Sequence, residues 1–169
     1  MKKGVRVPDT TWKVRTQNEE ENYGWADMTT EDVFAGKKVA VFSLPGAFTP
    51  TCSTQQLPGY EDMFEQFQEK GIDEIYCISV NDSFVMNAWA QAHNIKKVKM
   101  IPDGSGEFTR QMGYLVDKDN LGFGKRSWRY AALIDNINWI ETWAEDGKMD
   151  NCPTDPYEKS KPENVLEQL

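Results

Sequence analysis

KKVAVFSLPGAFTPTC, residues 37–52, decides the fold. Its first half, KKVAVFSL (37–44), is a short apolar run carrying valine and phenylalanine, bounded by Gly36 and Pro45. That pattern reads as a buried strand. PGAFTPTC (45–52) then makes a rigid, hydroxyl-bearing turn that delivers one thiol. From there the period changes. In CSTQQLPGYEDMFEQFQEKG (52–71) the apolar residues Leu57, Tyr60, Met63, Phe64 and Phe67 form a helical stripe. Pro58 predicts a kink within it, and Gly71 suits its C-terminal cap. IDEIYCISV (72–80) is a second buried strand, after which Asn81 or Asp82 can cap a helix in SFVMNAWAQAHN (83–94).

Working outward, VKMIPDGSG (98–106) reads as a strand ending in a turn, and EFTRQMGY (107–114) as a short helix. RYAALIDNINWIETWAED (129–146) is expected to be two strands around a two-residue turn at Asp135-Asn136. SKPENVLEQL (160–169) reads as a terminal helix with a Ser160/Glu163 capping box and Pro162 in its first turn. On the other side, VRVPDTTWKV and WADMT read as strands joined by an exposed hairpin loop, TQNEEENYG (16–24). The order is two N-terminal strands, βαβα, a strand, a short helix, a hairpin and a terminal helix. It predicts an α/β fold: a mixed central sheet, parallel in its βαβ part, with helices on both faces. In such sheets ligands sit at the carboxyl ends of the strands, where Cys52 lies.

The 169 residues are enough for one domain, 1–169, with a real core. A net charge of −8 argues against nucleic acid or an anionic membrane surface as partner. No apolar run approaches the roughly 18 residues of a membrane span. The N-terminus has lysines without an apolar stretch behind them, so no signal peptide is expected. Three widely spaced cysteines, at 52, 77 and 152, do not form a secreted disulfide framework. A cytoplasmic location follows as the expectation.

The thiolate is the reactive form of cysteine, and an ordinary thiol, with a pKa of about 8.5, is mostly protonated at neutral pH. A helix N-terminus and a nearby arginine can lower that value. A histidine base is not at hand: the single histidine, His93, falls near the end of another predicted helix. Acyl transfer of the Cys–His kind is therefore disfavoured. Attack on a disulfide or on a peroxide O–O bond needs only a thiolate and a good leaving group. Disulfide exchange ordinarily uses Cys-x-x-Cys, and here Thr49 stands in the first cysteine's place. Its hydroxyl can donate one hydrogen bond and accept another. Pro45 and Pro50 would stiffen the turn and keep water off the sulfur.

These residues resemble the peroxiredoxin signature P-x-x-x-T-x-x-C, met by Pro45, Thr49 and Cys52. PGAFTPTC followed by LPGY (57–60) is similar to the type 5, or type II, branch. CISVNDSFVMNAW (77–89), MIPDGSGEFTRQMG (100–113) and LGFGKRSWRYAALID (121–135) agree with it. The resemblance runs from about Val5 to the C-terminus. It implies a thioredoxin-like fold with an extra N-terminal β-hairpin. Cys52 would attack hydrogen peroxide or an alkyl hydroperoxide and become a sulfenic acid. Thr49 would bond the thiolate and the peroxide, Pro45 would shield the site, and the backbone N–H groups of Gly46 and Cys52 would hold the peroxide. Arg129 would lower the thiol pKa, with Arg126 as its competitor. Phe123 would wall the peroxide pocket or a dimer face. Glutathione with glutaredoxin, or thioredoxin, would be the reductant, and a homodimer is expected. Neither a metal nor an organic cofactor is implied.

Where the branch often carries histidine just before L-P-G, this chain has Gln56. Cys77, inside IYCISV, reads as a core residue, and Cys152, in KMDNCPTDP, is the candidate resolving cysteine. Two other functions share the fold: a thiol-disulfide oxidoreductase, against which Thr49 argues, and a redox-inert interaction module, against which the pairing of Thr49 with Arg129 argues.

Overall fold

The computed structural model describes residues 3–17 and 23–169. A hairpin of β1 (Thr11–Gln17) and β2 (Tyr23–Thr29) comes first, then the short helix α1 (Thr30–Phe34). The tip of the expected hairpin loop, 18–22, lies outside the described residues. The central sheet contains β3 (Lys38–Ser43), β4 (Glu74–Ser79), β5 (Lys99–Pro102), β8 (Tyr130–Asp135) and β9 (Asn138–Ala144). Its strand order is β5-β4-β3-β8-β9. β3, β4 and β5 run parallel, and β8 and β9 run antiparallel beside them. This is the mixed sheet expected from the element order.

Alternation along the strands explains the two layers. Ala40 and Phe42 of β3 face one side with Ile75 and Cys77 of β4; Val39 and Val41 face the other with Tyr76 and Ile78. The first side is covered by α2 (Leu57–Asp62), α3 (Phe64–Glu69), α4 (Ser83–Ala92) and α6 (Pro162–Glu167), through Leu57, Tyr60, Phe67, Trp89 and Val165. Phe42 and Tyr60 stack there with ring centres 4.1 Å apart. The second side is covered by α1 and α5 (Glu107–Gln111), through Val33, Phe34 and Phe108, with Trp12 of the hairpin against them. Trp12 is fixed by its indole N–H, which donates to the buried Asp103 carboxylate at 3.1 Å. Helices on both faces and the N-terminal hairpin match the expectation.

Several details differ. The kink expected at Pro58 is instead a π-helical stretch, Cys52–Gln56, just before α2. Pro58 has no N–H to give, so the ladder is re-registered upstream, and Leu57 N–H reaches back to the Cys52 carbonyl. A second break falls at Met63, which the apolar stripe does not announce. The β8–β9 turn is Asn136-Ile137, one residue later than read, with Asp135 paired to Asn138. Both turn residues have positive φ, 45° and 71°. Ile137 tolerates this left-handed conformation because its side chain is buried beside Val7 and Trp12.

The Ser160/Glu163 capping box is absent, because Lys161 occupies the cap and Ser160 is turned towards Glu145. The capping box that does form joins Thr29 and Asp32 ahead of α1, a helix the sequence reading missed. It also missed the small hairpin of β6 (Leu115–Asp117) and β7 (Lys125–Ser127). No helix among the described residues is long and apolar enough to cross a membrane.

Candidate active site

β3 ends at Ser43 and hands the chain to the turn 45–52, in which Phe48 holds a left-handed φ of 63° with its ring exposed. The turn places Cys52 at the start of the π-helical stretch, fully buried at 0% exposure. Register explains what meets it. β3 and β8 are antiparallel, with Ser43 opposite Tyr130. The residue just before β8 therefore lies beside the outgoing end of β3. That residue is Arg129, 2% exposed, whose Nη2 donates to Cys52 Sγ at 3.6 Å.

Arg126 goes elsewhere. Its Nη1 donates to the Pro45 carbonyl and its Nε to that of Phe123, each at 3.2 Å. It props the turn from outside, and a Cβ on Gly46 would collide with its guanidinium. Glycine at 46 is what lets the two approach.

Thr49 Oγ1 donates to the Gly46 carbonyl at 2.7 Å and is also close enough to the sulfur to favour its charged form. One hydroxyl has one proton, so with a neutral thiol it goes to the carbonyl, leaving the oxygen's lone pairs towards the sulfur. Burial pushes the Cys52 thiol up; Arg129, the Thr49 hydroxyl and the Gly46 backbone N–H pull it down. Burial outweighs them, and Asp155 adds to the upward push. Arg129 thus pulls in the direction expected from the sequence, while the opposing push of full burial was not visible there. The donors are placed where negative charge must appear, so their contribution is largest as the sulfur ionises and reacts.

A strap, residues 146–160, closes the site from above. Glu145, buried at its root, accepts the backbone N–H groups of Glu158 at 2.7 Å and Lys159 at 2.6 Å. That staple carries Asp155 and Tyr157 over Arg129: Asp155 Oδ1 accepts from Nη2 at 2.8 Å, and the guanidinium lies 5.3 Å from the Tyr157 ring centre. Neither contact was foreseen. The polar segment TDPYEKS carried the residues but not the fold-back that seats them.

A cavity of about 300 Å³ reaches Thr49 and Arg129, the two side chains that face the sulfur, and is walled also by Pro45, Pro50 and Phe123. Cys152, on the strap, also borders it, 7% exposed and packed against Val116 and Trp128. Cys77 sits in the same core layer as Cys52, with its thiol pushed well up by burial. All three cysteines are free. Gln56 is buried with neither amide atom partnered, and His93 lies against Trp89, ring centres 6.1 Å apart. Trp89 in turn donates its indole N–H to Ser53 Oγ at 2.9 Å, directly behind the reactive turn. Among the described residues no cluster of histidine, cysteine or carboxylate side chains could hold a metal.

A lone buried thiol at a strand-to-helix turn, faced by an arginine and a threonine hydroxyl, defines a cysteine-dependent peroxidase on a thioredoxin-like fold. A family model described as Redoxin matches residues 2–158, and a peroxiredoxin of Rhizobium etli is 57% identical over 97% of this chain and 94% of its own length. The hybrid peroxiredoxin hyPrx5 of Haemophilus influenzae is 45% identical over 98% of this chain and 65% of its own length; the crystal structure of the Plasmodium falciparum antioxidant protein, a 1-Cys peroxiredoxin, superposes with a TM-score of 0.93 at 37% identity, covering 98% of this chain and 97% of the other. The chain belongs to the peroxiredoxin family, in its type 5 branch, and is a thiol peroxidase.

Proposed function

We propose that Cys52 is the peroxidatic cysteine and that Pro45, Thr49, Arg129 and the backbone N–H groups of Gly46 and Cys52 are its peroxide cradle. The carrying observation is the Arg129 guanidinium 3.6 Å from a sulfur that nothing else in the fold requires to be polar. The sulfur's electron pair forms an S–O bond as the O–O bond breaks. Sulfur is oxidised and the peroxide reduced by two electrons each, giving Cys52 sulfenic acid and an alkoxide or hydroxide. The leaving oxygen needs one proton, which is the one the thiol gives up. The Thr49 hydroxyl, with the sulfur on one side, is placed to pass it on. Arg129 stabilises the charge spread over sulfur and both oxygens, and Pro45 and Phe123 keep water away.

The sulfenic acid is recycled by a thiol, which displaces the oxygen as water and leaves a disulfide for a second thiol to reduce. External reductants, glutathione with glutaredoxin or thioredoxin, fit a site whose strap is stapled to Glu145. A second reading gives the resolving step to Cys152, because it borders the same cavity. The exposed side chains of Phe48, in the reactive turn, and Leu121, in the cavity wall, support a homodimer through this face. The chain acts as one domain in a reducing cytosol, in keeping with three free thiols.

Peptide mass spectrometry after one equivalent of hydrogen peroxide tests the reading. Cys52 alone is expected to gain one oxygen within the mixing time. A disulfide from Cys52 to Cys152 or Cys77 would overturn the external-reductant reading, and equal oxidation of all three cysteines would remove Cys52 from its role.

A further inference from the structure

The cavity holds a group that the peroxide reaction does not use. Lys118 directly follows β6, is 3% exposed, and lines the cavity with Thr49 and Arg129. Its Nζ lies 5.8 Å from the centre of the Trp128 ring. Among the described residues no carboxylate is within ion-pair distance of it, whereas ten other lysines and arginines of the chain have one. Lysine is almost never this buried without a partner. An ammonium on a stem this buried, facing the cavity with one aromatic ring as its neighbour, is short of an anion.

Asp155 cannot serve as that anion, because its carboxylate is given to Arg129 at 2.8 Å. The cavity therefore keeps two cations against one carboxylate, a positive pocket in a chain of net charge −8. Its volume, about 300 Å³, is far more than hydrogen peroxide fills. Much of the remaining lining is apolar, supplied by Leu121, Phe123 and the prolines, with Asn120 and Thr154 as its polar members. A peroxide group, a compact apolar body and a negative charge each find a counterpart in that lining: Thr49 with Arg129, the apolar side chains, and Lys118.

We propose that Lys118 is a specificity-determining residue that binds the carboxylate of an organic hydroperoxide, so that small anionic hydroperoxides are the preferred substrate class. The proposal rests on Cys52 being the peroxidatic cysteine. The carboxylate is a handle only: the S–O bond forms and the O–O bond breaks as before, and the product is the corresponding hydroxy acid.

The test compares cumene hydroperoxide with its para-carboxylated analogue, with hydrogen peroxide as a third substrate, on the reduced full chain, its Lys118→Met and its Lys118→Arg variants. The wild type is expected to favour the carboxylated peroxide about tenfold, the effect of one charged hydrogen bond. Lys118→Met, which keeps the stem packed on Trp128, should bring the ratio to about one, and Lys118→Arg should restore a preference. In the wild type the ratio should also shrink as salt is raised, a reading independent of any variant. A wild-type ratio of one overturns the proposal. So does an equal slowing of all three peroxides by Lys118→Met, which would mean that Lys118 acts through the sulfur. If that variant instead slows recycling by glutathione relative to 2-mercaptoethanol and leaves the peroxide ratio intact, the carboxylate belongs to the reductant and the proposal falls. Failure of the wild type with hydrogen peroxide would count against the peroxidatic assignment itself.

Discussion

Cys52→Ser is expected to reduce peroxide consumption by on the order of a thousandfold or more, to the level of protein-free solution, as removal of a nucleophile does. A serine hydroxyl does not ionise in reach of neutral pH, and neither remaining cysteine can stand in. Cys77 is buried in the core layer with its thiol pushed well up, and Cys152, on the strap, is packed against Val116 and Trp128. The substitution is small in volume, and the new hydroxyl keeps Arg129 and Thr49 as partners, so the fold should persist. The measurement is stopped-flow or coupled consumption of hydrogen peroxide, with circular dichroism to show that the variant is folded. Turnover above background in folded Cys52→Ser would move the chemistry to another thiol.

Arg129→Ala should slow the attack on peroxide by about a hundredfold, the usual size of losing one preorganised donor to a developing anion. The direction of its pH effect follows from the balance at the sulfur. Burial already holds the thiol above its ordinary value, and Arg129 is the largest pull in the other direction. Removing it raises the thiol further, and Asp155, deprived of its partner, remains as a repulsive charge. The reaction rate climbs as the thiolate appears, so the variant's rate profile should move to higher pH. Thiolate absorbance near 240 nm and the rate profile should shift together. An unmoved profile would transfer the role to Arg126, whose guanidinium props the Pro45 carbonyl.

What the sequence disclosed was mostly local. The strand before Pro45, the turn that carries Cys52 and the stripe of Leu57, Tyr60 and Phe67 are each written in fewer than a dozen consecutive residues. The mixed sheet followed from the order of such segments. Choices between neighbouring alternatives were less legible. Asp135-Asn136 looks like a better turn than Asn136-Ile137 until strand register and the burial of Ile137 are counted. Ser160 looks like a helix cap until Glu145 claims that stretch of backbone.

The site divided in the same way. Thr49 and Cys52 are three residues apart and visible at once. Arg129 was reachable through resemblance, and the reason it arrives is the pairing of Ser43 with Tyr130. Asp155, Tyr157 and Lys118 were missed because their importance lies wholly in contacts across the fold. The far end of the strap that seats the first two is stapled by the Glu145 carboxylate, with nothing in the surrounding sequence to mark it. The upward push on Cys52 was missed for a related reason. An arginine and a helix start can be named from sequence, but the completeness of burial cannot.

The hydrogen bond from Trp89 to Ser53 gives the chain a property of use at the bench. Indole emission depends on what its N–H touches and on the polarity around it. Ser53 adjoins the sulfur that changes oxidation state, so rearrangement of that turn reaches the Trp89 fluorophore through one hydrogen bond. Five other tryptophans add a background, and the indoles of Trp12, Trp128, Trp139 and Trp143 donate elsewhere. Oxidation of Cys52 is therefore expected to change Trp89 emission, which stopped-flow fluorescence would follow without a dye or a coupled reductase.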